Sequence, residues 1–116
     1  MAKIKKMYVL VRQDLGAGYQ IPQAIHAKDK FSHEHAKIEH SWYEESNTIA
    51  VLGVDNEEHL LGITQHINEL GLKFSLFFEP DIQEYTSVAI EPGDKTSEIL
   101  KVLKRACGGK RKRNRK

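Results

Sequence analysis

Residues 7–27, MYVLVRQDLGAGYQIPQAIHA, hold a buried strand, a glycine-bearing turn, a helix containing proline and an imidazole in one continuous unit. Residues 7–11 are an unbroken apolar run, the pattern of a strand covered on both faces. Arg12 and Asp14 follow at its carboxyl end, where open α/β sheets place their ligand crevices. Gly16 and Gly18 permit backbone conformations closed to other residues. Pro22 suits the first turn of a helix, which puts the helix start at about Ile21 and leaves the amides of Gln23 and Ala24 without intrahelical acceptors. Those amides, with the positive end of the helix dipole, would face the glycine turn. Gln23 and His26, three apart, share one face of that first turn. An arginine, a carboxylate, an amide and an imidazole therefore converge at one strand end.

Outward from this unit the chain alternates strand and helix patterns. Residues 48–54 form a second apolar run. Asp55 with Glu58 reads as a capping box for a helix in which Leu60, Ile63, Ile67 and Leu70 recur at helical spacing until Gly71. Phe74, Leu76 and Phe78 alternate as a third strand, Pro80 and Asp81 mark a turn, and Thr86, Val88 and Ile90 read as one face of a fourth strand. Asp94 is expected to cap a last helix with Ile99, Val102 and Leu103 pointing inward. Strands separated by helices, closed by a hairpin, imply an α/β fold: a three-layer α/β/α arrangement around a mixed sheet.

One hundred and sixteen residues suffice for one domain, which we expect to span residues 1–107, with residues 108–116 as a disordered basic tail. The one cysteine, Cys107, excludes an internal disulfide and favours a reducing compartment. After Lys3, Lys5 and Lys6 the apolar run is too short for a signal-peptide core or a membrane span. The expected location is therefore cytoplasmic, with no membrane partner. The net charge of +2 hides an asymmetry: Lys110, Arg111, Lys112, Arg113, Arg115 and Lys116 sit together after Gly108 and Gly109 with no acidic residue among them. The remainder is net negative. Such a block reads as a nucleic-acid-binding arm, a nuclear-import signal or a solubilising extension, and we favour the first.

The histidines near residue 35 do not form a metal site by spacing. On a helix His33 and His35 point about 160° apart. His26, His33 and His40 fall on one face, but seven-residue steps separate them by about 10.5 Å, beyond the span of a shared ion. The glycine turn also lacks the GxGxxG and GxxxxGK[ST] patterns of dinucleotide and P-loop sites. No metal or organic cofactor is expected.

The opening unit resembles the family 2 peptidyl-tRNA hydrolases, the archaeal and eukaryotic type, which begin with a strand, an Arg-x-Asp-Leu segment, a glycine loop and a helix carrying Ala-Gln-x-x-His-Ala. The matching residues are Arg12, Asp14, Leu15, Gly18, Gln23, His26 and Ala27. A second stretch, KFSLFFEPDIQEYTSVAIEPG at residues 73–93, is similar to the family's aspartate-containing turn and final strand. Asp81 is the counterpart of that aspartate, Glu79 competes for the role, and Thr86 matches the threonine that starts the last strand. Two departures stand out. Tyr19 and Gln20 occupy the place of the family's lysine, and EPDIQEY is several residues shorter than the family's turn and lacks its arginine.

The resemblance implies strand order 2-1-4-3 with the last strand antiparallel to the others. It also implies hydrolysis of the ester between a peptide, or an N-blocked aminoacyl group, and the 3′ ribose of tRNA, as a step of translation. Water would be the nucleophile, and His26 or Asp81 would accept its proton. The amides of Gln23 and Ala24, or the Gln23 side chain, would hold the oxyanion. Arg12, Asp14, Gly18 and Thr86 would bind substrate, with Arg12 and the tail meeting phosphates. A homodimer is allowed. The rival readings are a noncatalytic RNA-binding or protein-binding module on the same fold, and an esterase acting on another acyl group carried by tRNA.

Overall fold

A computed structural model describes residues 5–103 and 106. The basic tail and Cys107 lie outside the described residues. β1 (Lys6–Arg12) pairs in parallel with β2 (Thr48–Val54) on one side and antiparallel with β4 (Glu84–Ile90) on the other. β3 (Phe74–Glu79) adds antiparallel to β4, so the order is β2-β1-β4-β3 with only β1 and β2 parallel. This is the mixed sheet that the alternation of patterns implies, in the order that the resemblance implies.

The two interior strands carry the core. Met7 and Val9 of β1 and Ala89 of β4 pack on one face against Ala24, Ala27 and Phe31 of helix α1 (Ala17–Glu34) and Trp42 of α2 (Ala36–Glu45). Leu10, Leu52, Val88 and Ile90 pack on the other face against Leu60 and Ile67 of α3 (Glu57–Glu69) and Leu100 of α4 (Asp94–Leu100). Side chains that alternate along a strand reach opposite layers, which is why an unbroken apolar run was needed at β1.

Four local expectations are corrected. The first helix begins at Ala17, capped by Gly16, so Pro22 is its sixth residue rather than its first. Gly16 accepts the amides of Tyr19 and Gln20 at 2.9 and 3.0 Å, and the Gln20 side chain donates to the Leu15 carbonyl at 2.7 Å. Proline is tolerated in the second turn because the carbonyl it leaves without a partner belongs to Gly18, which is exposed to water. The segment after residue 29 is not one helix: His35 has φ −131° and ψ 55° and separates α1 from α2, taking His40 out of line with His26 and His33. The cap of α3 is Asn56, whose Oδ1 accepts the His59 amide at 2.9 Å, while the Asp55 amide donates to His59 Nδ1 at 2.8 Å. The last helix is capped by Gly93 at φ 153°, and Val102 points out to water, while Ile99 and Leu103 pack inward beside the buried Leu100.

The β3–β4 ladder carries a bulge. Phe77 pairs with Ser87 and Phe78 with Tyr85, so Thr86 is the extra residue. A bulge breaks the alternation of faces, and it lets Thr86 and Ser87 both reach toward α1.

Phe31 is wholly buried between α1 and the sheet, so Phe31→Ala should lower the unfolding free energy by about 3–5 kcal/mol in urea denaturation. A loss below about 1 kcal/mol, the level of an average substitution, would contradict this docking of α1.

Candidate active site

Gln23 lies on the sheet-facing side of α1, four residues after Tyr19 and three before His26, and its side chain is buried. Its Nε2 donates to Glu79 Oε1 at 2.8 Å, and its Oε1 accepts from the Thr86 hydroxyl at 2.6 Å. The Ser87 hydroxyl donates to its main-chain carbonyl at 2.7 Å. Glu79 ends β3 on the face it shares with Ser75 and Phe77, so ordinary strand alternation aims its carboxylate at α1. Its second oxygen accepts the Asp81 amide at 3.2 Å across the Pro80 turn.

These contacts favour the ionised form of Glu79. The hydrogen bond from Gln23 holds its carboxyl below the ordinary glutamate range, the Asp81 amide adds to this, burial opposes it, and attraction to His26 adds a last share. The ring of His26 is exposed and stacks on Phe77 with centroids 4.8 Å apart and planes 26° apart. Tyr19 completes the cluster. Burial pushes its phenol up, and the charges of Glu79 and Asp81 push it further, so it stays protonated and able to donate.

Several expected site residues are placed differently. The amides of Gln23 and Ala24 lie well beyond the first turn and are not among the groups a helix leaves open. Both ends of the Gln23 amide already have partners. Asp81 contributes its backbone amide, and its side chain faces solvent. Gly18 sits in the first turn of α1, where an added Cβ would meet no atom within 4 Å, so nothing there requires glycine. Arg12 is turned inward: Nε and Nη2 fork onto Asp14 at 2.9 and 2.8 Å, and Nη1 donates to Glu84 at 2.7 Å and to the Tyr85 carbonyl at 3.1 Å. Asp14 is held below the usual carboxylate range chiefly by that Arg12 bond. The bonds to Glu84 and Tyr85 fasten β1 to β4, and the guanidinium is engaged on every nitrogen. Thr86 is buried as the far partner of Gln23.

The structure thus brings together Gln23, His26, Glu79 and Thr86 with Tyr19 and the Asp81 amide. Glu79 could be chosen over Asp81 from the period-2 pattern of its strand. Tyr19 could be found from its helical spacing to Gln23 and His26. Among the described residues no group of three or more His, Cys, Asp or Glu side chains could hold a metal ion. No helix among them is long and apolar enough to cross a membrane.

A mixed four-stranded sheet flanked by helices, with an amide-clamped carboxylate and an imidazole at the edge of α1, defines a small α/β protein. The family model for peptidyl-tRNA hydrolase PTH2 matches residues 5–105, and the chain belongs to that family. The chain is also similar in fold to a solved protein of unknown function from Agrobacterium tumefaciens strain C58, at 17% identity and a TM-score of 0.66, covering 91% of this chain and 100% of that one. No curated protein sequence matches it.

Arg12→Ala should lower stability by about 1–2 kcal/mol, a modest loss because the two stranded carboxylates are already 40% and 43% exposed. The slope of log tRNA affinity against log salt should stay unchanged. A slope shallower by about 0.7–0.9 would instead mark Arg12 as a phosphate contact.

Proposed function

We propose that this chain hydrolyses the ester joining a peptide, or an N-blocked aminoacyl group, to the 3′ ribose of tRNA, acting in translation in the cytoplasm. The observation that carries this reading is a buried, ionised Glu79 beside the exposed His26 imidazole, in a member of the PTH2 family. In this mechanism His26 takes a proton from water as the water oxygen attacks the ester carbonyl. Glu79 stabilises the imidazolium by its charge and is itself held by Gln23. The Tyr19 hydroxyl donates to the oxyanion, a stabilisation that matters most where charge develops. Collapse of the tetrahedral intermediate breaks the bond to the ribose 3′ oxygen, which receives the proton from His26. A depressed carboxylate is a weak base, so the proton belongs to the imidazole and the charge to Glu79. No metal or cofactor enters this scheme.

The test is release of labelled N-acetylaminoacyl groups from tRNA, compared with unblocked aminoacyl-tRNA. Faster loss of the blocked substrate supports the reading. His26→Ala and Glu79→Gln should each lower kcat by about 10²- to 10⁴-fold, while Asp81→Asn, which keeps the backbone amide, should cost less than about tenfold. An Asp81→Asn loss equal to that of Glu79→Gln would move the acid to Asp81. No turnover of either substrate would favour a noncatalytic RNA-binding or protein-binding module, a reading supported by the engagement of Arg12 with its two carboxylates.

The tail residues from Lys110 to Lys116 complete the proposal as the phosphate-binding arm. The Ala106 amide donates to the Val51 carbonyl at 2.9 Å on β2, at the opposite edge of the sheet from Glu79. Truncation after Gly109 should weaken tRNA binding and flatten its salt slope by up to about 4, for six single-strand phosphate contacts, with kcat nearly constant. An unchanged slope would make the tail a solubility or targeting element.

A further inference from the structure

A groove of about 740 Å³ runs along the outer edge of β3. Its aromatic lining comprises Phe74, Phe77, Phe78 and Tyr85, and Lys30 and His33 of α1 stand on one lip. Phe77 belongs to both places, since it lines the groove and carries the His26 ring. The groove therefore adjoins His26 through Phe77. Phe78 is 42% exposed and is braced edge-on by Tyr85, with centroids 5.0 Å apart and planes 73° apart.

An ester substrate of this kind has two arms, an RNA strand and a peptide, and the groove discriminates between them. A peptide strand laid along β3 would need the outward carbonyls of that strand. The Leu76 carbonyl already accepts from Lys30 Nζ at 3.1 Å, and the Phe74 carbonyl lies 3.1 Å from His35 Nε2. The edge is blunted in the way that sheets avoid strand addition. Electrostatics points the same way. The approach over the carboxyl end of β1 meets Asp14, Glu84 and Asp81 around the engaged Arg12. Along β3, the charge of Glu34 is balanced by Lys30 at 3.4 Å, and its carboxylate accepts the Ser75 hydroxyl at 2.7 Å. A polyanion is repelled less there, and the aromatic faces suit an unpaired base.

We propose that this groove binds the single-stranded 3′ end of the RNA substrate, with a terminal base stacked on Phe78 and the ester carried over the strand edge to Gln23, Glu79 and His26. This rests on the hydrolase reading above for the identity of the strand. Phe78 directly precedes Glu79, on the opposite face of the same edge strand, so one nucleotide bridges the two. Lys30 then serves the groove twice, closing the Leu76 carbonyl to peptide and offsetting Glu34.

The test uses the full chain and an unacylated oligonucleotide ending in CCA, followed by fluorescence anisotropy. Phe78→Ala should weaken binding by about 5- to 150-fold, the loss of one base stack, and Phe78→Trp should retain it. An oligonucleotide with an abasic 3′ terminus should bind the parent weakly, and Phe78→Ala should then cost nothing more, because both changes remove the same contact. Equal affinity of parent and Phe78→Ala for the intact oligonucleotide would overturn the proposal. So would additive losses with the abasic one. A Phe78→Ala effect confined to KM for long-peptide substrates would assign the groove to peptide and overturn it equally. Base-dependent binding without ester hydrolysis by the parent would reject the hydrolase reading and leave the groove supported.

Discussion

The side-chain amide of Gln23 joins three parts of the chain that are far apart in sequence. It reaches Glu79, 56 residues away, and Thr86, 63 residues away, from a buried position where an unmet hydrogen bond costs about 1–3 kcal/mol and more for a charged group. Helix α1, the end of β3 and the start of β4 must therefore meet in one register. With the Ser87 hydroxyl on its backbone carbonyl, Gln23 sets the height of α1 over the sheet, and this places His26 over Phe77. Any shift of α1 would break a polar contact that water cannot replace at that depth.

The bulge at Thr86 is the sheet's accommodation to this constraint. A regular ladder would turn Thr86 toward the α3 layer, where its hydroxyl would have no reason to be. The extra residue instead directs two hydroxyls to one glutamine. Between β1 and β4, Arg12 supplies the complementary fastening, from the end of β1 to Asp14 and to Glu84 at the start of β4. Charge at this end of the sheet is used to hold strands.

The legible features of the sequence were those with a strong period. The apolar runs of β1 and β2, the helical spacing of Leu60, Ile63 and Ile67, and the alternation of β3 all placed elements that the structure contains. Pro22 misled because proline marks a helix start only when its missing amide is otherwise costly, and an exposed Gly18 carbonyl removes that cost. Caps were misplaced by one residue: Asp55 and Asn56 offer similar side-chain acceptors, and at the last helix Gly93 takes the cap position at positive φ, without a side-chain bond. The site was half legible. Gln23 and His26 share a helix face by spacing, and the period-2 pattern of β3 aims Glu79 at α1, whereas the return of the Asp81 amide to Glu79 depends on the Pro80 turn, whose geometry no local pattern announces. The bulge was invisible, since Thr86, Val88 and Ile90 alternate as well as any regular strand.

The central claim is that Glu79 is ionised because Gln23 and the Asp81 amide outweigh its burial. A group with a depressed folded-state pKa stabilises the fold above its unfolded value and loses that contribution as pH falls through the folded one. The direct measurement is an NMR titration of the Glu79 side-chain carboxyl in carbon-13-labelled protein, with Glu79→Gln identifying its resonance. A midpoint below the ordinary glutamate value of about 4.3 is the expected result. A midpoint at or above that value would mean that the hydrogen bonds from Gln23 and Asp81 do not outweigh burial, and would contradict the clamp.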